Sequence, residues 1–219
     1  RATPGVSASA YSAYGALMSG DSSDEVAVEG YAPKGEDDRN SRYDHVGPGF
    51  FKALGVPLLL GREFDTRDHG SSPRVCVINE AFAKTFFAGR NPIGMHVTQL
   101  YGHQRNTYEV IGVAANHRKR SLRGEIEHRF FVPTAQPIDV PWAVTFVVRT
   151  AGDPEAMVNT LRKTVLAEDS NLPIVAAVPV EKLIEDRTIL DRMLARLSMA
   201  FGVIALLLAG VNGAGYWLF

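Results

Sequence analysis

R-V-C-V-I-N-E-A-F-A-K-T-F-F-A-G, residues 74–89, contains a complete strand-to-helix unit. The run at 74–78 is rich in β-branched and apolar residues, which predicts a buried strand. Asn79 is a typical helix N-cap, and Glu80 is favourable in a first helical turn. Three phenylalanines then recur at helical spacing: Phe82, Phe86 and Phe87. Gly89 is expected to end the helix, so this stretch predicts a fold that mixes strands and helices.

The residues before this unit alternate strand-like runs with turns. Glu25–Tyr31 alternates polar and apolar side chains, as a half-buried strand does, and Pro33–Ser41 reads as an exposed loop. A short helix is expected from Pro48 to the stop at Gly55. Its apolar face would consist of Phe50, Phe51 and Leu54. The run V-P-L-L-L-G-R-E-F (56–64) then predicts a buried strand that leaves through a glycine turn.

The residues after this unit predict further strands and one more amphipathic helix. The expected strands lie near Met95–Gln99, Thr107–Ala115, Arg129–Val132 and Trp142–Thr150, and a later one at P-I-V-A-A-V-P-V (173–180). Asp153 is expected to cap a helix that has Pro154 at its first position. Met157, Leu161 and Val165 recur every fourth residue along one face of that helix.

The carboxyl-terminal stretch Leu197–Phe219 has no side chain that is charged at pH 7. A helix over these residues would be roughly 34 Å long, enough to cross the ~30 Å hydrocarbon core of a bilayer. The alternative is a buried core helix, which usually keeps a polar stripe. The apolar face of residues 181–196 continues into this stretch without Pro or Gly. We therefore predict a stiff stalk helix at 181–196 and a transmembrane helix at 197–219.

The charge balance, the single cysteine and the first residues of the sequence limit the kinds of protein that this chain can be. The 219 residues include 23 basic and 24 acidic side chains, so charge does not suggest a nucleic-acid partner. The single cysteine, Cys76, lies in an apolar run and is expected in the core; one cysteine does not decide the redox compartment. The sequence has neither an initiator Met nor a signal peptide, so we expect a piece of a longer chain.

A search for catalytic and metal-binding motifs finds no constellation that predicts chemistry. The chain has no phosphate-binding glycine loop, no H-E-x-x-H, no C-x-x-C and no G-x-S-x-G. The nearest approach to a metal-binding pattern is Glu125-Ile126-Glu127-His128, which is more typical of exposed surface residues that bind no metal. We therefore assign no catalytic, cofactor-binding or metal-binding residue and expect no cofactor.

Two clusters of charge have simple interpretations as solvated loops. The acidic groups lack the alternation and terminal Glu of a calcium loop; they are Asp21, Asp24, Glu25, Glu36, Asp37 and Asp38. The basic run His117–Arg123 is the strongest charge feature of the sequence. It could contact anionic lipid headgroups or an acidic partner, although a solvated connection between strands is the simpler interpretation.

Five segments in order resemble a known family. They are V-G-P-G-F-F-K-A-L-G-V-P-L-L-L-G-R-E-F (46–64), V-C-V-I-N-E-A-F-A-K-T-F-F-A-G-R-N-P-I-G (75–94), Y-E-V-I-G-V-A-A-N (108–116), F-V-P (131–133) and V-V-R-T-A-G-D-P (147–154). The chain resembles the MacB-like extracytoplasmic core domain of ABC transporter permeases, whose chains also carry an FtsX-like membrane domain. Residues 192–215 are similar to the start of that family's second membrane helix.

The resemblance implies an α+β fold with two lobes on the extracytoplasmic side of the membrane. A membrane-proximal α/β lobe (1–65 and 141–180) would be split around an inserted β-rich lobe (66–140), followed by the stalk (181–196) and the transmembrane helix (197–219). It further implies a non-enzymatic permease subunit of the cytoplasmic (inner) membrane, on the periplasmic side, that transmits ATP-driven motion. The implied partners are a separate ABC ATPase, a second permease copy in a homodimer or heterodimer, and the lipid bilayer, with no nucleic acid.

The implied activity is export or release of substrates such as antibiotics, peptides or lipoproteins. Two other functions stay open at this point. A membrane-tethered ligand-binding or sensor domain would have a deep pocket that binds a small molecule, and an extracytoplasmic hydrolase would need a pocket that gathers His, Asp and Ser.

Overall fold

The structure is a computed structural model that describes residues 3–15, 22–33, 35, 37–118, 125–138 and 143–215. The side chains at positions 37, 187, 190–192, 195 and 205–215 also lie outside the described part. The chain divides into two compact units, Arg1–Asp153 and Pro154–Phe219.

The first unit is dominated by strands. Within its described residues these are β1 (Val6–Ser12), β2 (Ser22–Val28), β3 (Asn40–Val46), β4 (Leu58–Gly61), β5 (Val75–Asn79), β6 (His96–Tyr101), β7 (Gln104–Ala114), β8 (Arg129–Pro133) and β9 (Thr145–Thr150). Its helical segments are short: a 3₁₀ turn (Asp37–Arg39), α1 (Phe50–Leu54), α2 (Glu80–Phe82) and a π-helical turn (Ala83–Phe87). The predicted strands near residues 25–31, 74–78, 95–99, 107–115, 129–132 and 142–150 are confirmed, with shifted ends.

Six of these strands close into a ring. The pairing runs β2–β6–β7–β5–β8–β3, and β3 then pairs with β2 again. Two of the pairings are parallel, β5 with β7 and β3 with β8, and the other four are antiparallel. Strands β1 and β9 extend the sheet beyond β3, and β4 pairs with the end of β7. We call the six-stranded part the ring.

Two hydrophobic cores share the walls of the ring. On β5, Cys76 and Ile78 belong to the core inside the ring, whereas Val75 and Val77 belong to a second core outside it. All five residues of β5 are buried. Successive strand residues point to opposite faces, so the four apolar residues at the start of β5 supply side chains to both cores. The predicted burial of Cys76 is confirmed.

The helical turn after β5 closes one end of the ring. The side chain of Asn79 caps it by accepting a hydrogen bond from the Phe82 backbone amide, as predicted. The predicted helix is confirmed, but its second part, residues 83–87, is π-helical rather than α-helical. A π-helix aligns residues five apart rather than four. Phe82 and Phe87 can therefore both join the ring core beside Phe86.

Gly61, the last residue of β4, allows the chain that follows this strand to lie close against β7. Gly61 has a φ of +71°, and a Cβ there would lie 2.1 Å from the Ile111 carbonyl oxygen. The Arg62 amide donates to that same oxygen at 2.9 Å. The Arg62 guanidinium in turn binds the Asp68 carboxylate at 2.7 and 2.8 Å. The expectation of a buried strand is wrong here, because β4 pairs only with β7 within the described residues and its Leu59 and Leu60 are exposed.

Helix α1 is shorter than expected. It begins at Phe50 rather than at Pro48, because Gly49 lies in the left-handed region as the N-cap. The carboxylate of Glu63 accepts from the Phe51 amide at 2.9 Å and satisfies one of the free amides of the first turn. Gly55 ends the helix in the left-handed conformation, as predicted.

The second unit consists of two helices and the segment between them. They are α3 (Pro154–Glu168), with Pro154 at its first position as predicted, and α4 (Val180–Gly215). The predicted strand at 173–180 is wrong: residues 172–179 form no strand, and α4 begins at Val180. Pro173 and Pro179 have no amide hydrogen with which to donate to a neighbouring strand.

Helix α4 covers the predicted stalk and most of the predicted membrane helix without interruption. Among the described residues, no helix meets the combined length and hydropathy needed to cross a bilayer. Residues 216–219 and the side chains from 205 onward lie outside that part. The stalk at 181–196, the span at 197–219 and the division into lobes stay predictions.

Candidate functional site

An open cleft of about 570 Å³ lies where β3 and β8 begin. Three segments line it, contributing Asn40 and Arg42; Ala81, Lys84 and Thr85; and Glu125, Ile126, Glu127 and His128. We call it the β3–β8 cleft. One of its walls is therefore the π-helical turn, a distortion that is frequent at functional sites.

Asn79 positions two walls of this cleft. Its Oδ1 accepts from the amides of Phe82 (2.9 Å) and Arg129 (3.0 Å), and its Nδ2 donates to the Glu127 carbonyl at 2.9 Å. One buried side chain thus ties the start of the helical turn to the segment before β8. The sequence predicted the cap but not this second role, because Glu127 is distant along the chain.

The floor of the cleft is an ion-pair group. Glu127 lies between two arginines, at 3.3 Å from Arg42 Nε and 3.5 Å from Arg129 Nη2. Within the described part of the chain, Lys84 and Glu125 form no ion pair, and both are exposed. The cleft therefore offers one available cation and one available anion to a ligand or partner.

His128 is a half-buried titratable residue of the cleft. Burial lowers the pKa of His128, although the nearby Glu127 carboxylate acts in the opposite direction. Its ring meets the Phe86 ring edge-on, with centroids 5.3 Å apart. The lowered pKa favours the neutral form of this ring. Glu125, Glu127 and His128 share the cleft, yet no group of three or more His, Cys, Asp or Glu among the described residues is arranged to hold a metal ion.

The acidic groups of the sequence lie on a strand and a turn. Asp24 is on β2 and accepts from Gln99 Nε2 at 2.5 Å, whereas Glu25 is on the exposed face of that strand. Asp37 and Asp38 belong to the 3₁₀ turn. Asp21 and Glu36 lie outside the described residues.

The basic run is described only in part. His117 stacks on Phe131 with centroids 5.7 Å apart, and Arg118 is exposed. Residues 119–124 lie outside the described part, so contact of this run with lipid or an acidic partner stays a prediction. Cys76 is inert as a nucleophile, because burial raises the pKa of its thiol far above the usual range.

Sequence reasoning missed Arg42 and Lys84 as cleft residues. They lie on separate elements, and only the pairing of β3 with β8 and the packing of the helical turn bring them near residues 125–128. No local pattern carries that information.

A family model of the MacB-like periplasmic core domain matches residues 2–178. The chain belongs to this family. Its members are extracytoplasmic domains of MacB-type ABC transporter permeases, which work with ABC ATPases. The resemblance stated from the five sequence segments is therefore confirmed.

The solved structure of one MacB periplasmic region agrees with the MacB-like assignment at the level of fold. The periplasmic region of MacB from Actinobacillus actinomycetemcomitans is 17% identical with a TM-score of 0.53, covering 75% of this chain and 68% of that one. The extracellular domain of the noncanonic ABC-type transporter YknZ from Gram-positive bacteria is 17% identical with a TM-score of 0.48, covering 72% and 71%.

A domain of a putative permease protein from Porphyromonas gingivalis is 15% identical with a TM-score of 0.45, covering 73% of this chain and 63% of that one. A search of proteins with curated function found no significant match.

Proposed function

We propose that this MacB-like domain is a non-enzymatic part of a permease in the cytoplasmic membrane and transmits ATP-driven motion to the extracytoplasmic side. The motion would export or release substrates such as antibiotics, peptides or lipoproteins. A separate ABC ATPase subunit or domain would hydrolyse the ATP. The observation that carries the proposal is the family match over residues 2–178, followed directly by the uninterrupted helix α4.

A continuous helix supports the transmission of force. Helix α4 has no Pro, and its 36 residues correspond to roughly 54 Å of helix. A helix resists bending far better than a flexible linker of the same length. Residues 181–196 would act as the stalk between the membrane and the domain.

The exposed side chains of α4 support insertion into lipid. Between Met193 and Ile204 they are largely apolar, and Met199 and Phe201 are 71% and 62% exposed. Soluble helices rarely leave such a surface in water. We propose that residues 197–219 cross the bilayer, with a second permease copy nearby as homodimer or heterodimer.

Membrane insertion is tested by flotation of the full chain with liposomes. The substitution Ile204→Arg places a charge in the proposed span and should cost about 2.5–3.5 kcal/mol of insertion free energy. Ile189→Arg is the matched control, since Ile189 is an exposed apolar residue of the same helix before the span. Equal flotation of both variants would contradict the proposed span.

Coupling is tested in the complete permease with its ATPase. Four glycines inserted after Glu185 would interrupt the stalk, whereas four alanines would continue the helix. We expect the glycine insertion to abolish transport while ATP hydrolysis continues, and the alanine insertion to retain transport. Full transport by both would exclude a rigid stalk.

A ligand-binding or sensor role is the second candidate, and the β3–β8 cleft favours it. Its 570 Å³ would accommodate a small molecule between Lys84 and Glu125. Saturable binding that Lys84→Ala removes, in the absence of any ATPase, would support this role.

A further inference from the structure

The β3–β8 cleft has one charged side chain of each sign on two different walls. Lys84 lies on the π-helical turn, and Glu125 lies on the segment before β8. Both side chains are exposed, and within the described residues neither forms an ion pair. The cleft therefore presents a positive and a negative group that do not neutralise each other.

The charges on the floor of the cleft are engaged by one another. Glu127 lies 3.3 Å from Arg42 Nε and 3.5 Å from Arg129 Nη2. Separating partly buried charges of this kind costs more than a new exposed ion pair returns. A charged ligand would therefore bind Lys84 and Glu125, while the floor group would maintain the shape of the cleft.

Hydrogen bonds hold both walls in place without a ligand. Asn79 Nδ2 donates to the Glu127 carbonyl at 2.9 Å, and Asn79 Oδ1 accepts from the Phe82 amide at 2.9 Å. On the wall of the helical turn, the Ala81 amide donates to Asn116 Oδ1 at 2.9 Å. Walls that are already ordered lose little freedom on binding, so two weak contacts can add up to a measurable affinity.

Three other lining residues offer uncharged contacts to a ligand. Asn40 and Thr85 are exposed, and their amide and hydroxyl groups can both donate and accept hydrogen bonds. Ile126, which is 37% exposed, adds a small apolar surface. The cleft volume of about 570 Å³ lies within the range of small-molecule sites, roughly 300–1,000 Å³. These contacts suit a small polar ligand.

We propose that the β3–β8 cleft binds a zwitterion with one carboxylate and one primary ammonium group, the chemistry of amino acids and short peptides. The carboxylate would bind Lys84 and the ammonium would bind Glu125. This inference rests on the ligand-binding role proposed above for the same cleft and is independent of transport. A ligand with only one charge would leave one of the two walls without a partner, so it should bind more weakly.

Free amino acids and short peptides share this chemistry but differ in the distance between their two charges. Glycine, diglycine and triglycine form a series of probes of increasing length, since each added residue extends a chain by at most about 3.3–3.6 Å. Tightest binding of glycine would assign the cleft to free amino acids. Tightest binding of diglycine or triglycine would assign it to peptides.

Binding is measured by NMR titration of the ¹⁵N-labelled full chain in detergent micelles. We expect at least one of the three zwitterions to shift the backbone amide resonances of Lys84 and Thr85 saturably. Acetate, which lacks the ammonium, and methylammonium, which lacks the carboxylate, should bind about two- to fivefold more weakly. Equally tight binding of either single-charge probe would overturn the zwitterion proposal and leave a ligand-binding role intact. Absence of shifts with all three zwitterions would also overturn it, without bearing on transport.

Charge reversals distinguish direct binding from a general effect of surface charge. Lys84→Glu and Glu125→Lys should each weaken zwitterion binding about tenfold, because each replaces an attraction by a repulsion. The double variant should recover most of the affinity, since the zwitterion can bind in the reverse orientation. Lys163→Glu is the matched control, because Lys163 is exposed on α3 and does not line the cleft; it should leave binding unchanged. A double variant that binds no better than the single variants, or an equal loss with Lys163→Glu, would refute the proposal.

Discussion

Gly61 offers the sharpest test of the packing of β4 against β7. Its φ of +71° is unfavourable for alanine by about 1–2 kcal/mol. An added Cβ would also lie 2.1 Å from the Ile111 carbonyl oxygen and 2.9 Å from Gly112 Cα, both backbone atoms that cannot rotate away. Overpacking of this kind costs about 1–3 kcal/mol. We therefore expect Gly61→Ala to lower the free energy of unfolding by about 2–5 kcal/mol.

The matched control separates the clash from the backbone strain. Gly102 has a φ of +57° and no atom within 4 Å of an added Cβ, so Gly102→Ala should cost only about 1 kcal/mol. Urea unfolding followed by circular dichroism gives both values. Hydrogen exchange should also accelerate at the Arg62 amide, which donates to Ile111. Equal losses in the two variants would show that the close approach at Gly61 does not exist.

Three further outcomes are expected. Ala88 ends the π-helical turn with a φ of 49°, so Ala88→Gly should stabilise the protein by about 0.5–1 kcal/mol in thermal unfolding, and a loss would contradict that conformation. Burial alone would raise the pKa of Asp68, but its bonds with Arg62 and the Asp65 amide lower it overall. Asp68→Asn should therefore cost about 1–3 kcal/mol at pH 7, and the cost should shrink as the pH falls below about 4, where the unfolded carboxyl takes up a proton; a cost that does not change with pH would contradict the ion pair. Because the pKa of His128 is lowered, the unfolded chain takes up a proton near pH 6.5, before the folded chain does. The free energy of unfolding of the wild type should therefore fall from pH 7 to pH 5, and His128→Gln should remove the part of the fall that is due to His128. Denaturation at each pH measures both.

Local sequence predicted the elements whose stability is local. The strand of β5, the Asn79 cap and the stop at Gly55 all follow from residues within one turn or one strand. The five ordered segments also carried enough information to identify the family.

The remaining features depend on contacts between distant residues. Exposure of Leu59 and Leu60 depends on which strand lies beside β4, and the π-helical turn depends on a ring core that takes both Phe86 and Phe87. The β3–β8 cleft combines residues near positions 40, 84 and 127, which no periodicity connects.

Closure of the ring has a consequence for how the chain acquires its shape. The hydroxyl of Ser41 meets the carbonyl of His128, 87 positions away, and the parallel partner of β3 is synthesised only after that interval. Until β8 emerges, Tyr43 has no completed ring core to enter. Pairing between such distant residues slows folding and prolongs the lifetime of aggregation-prone intermediates. Truncation anywhere before Pro133 should therefore leave a nascent chain dependent on chaperones instead of a smaller folded module.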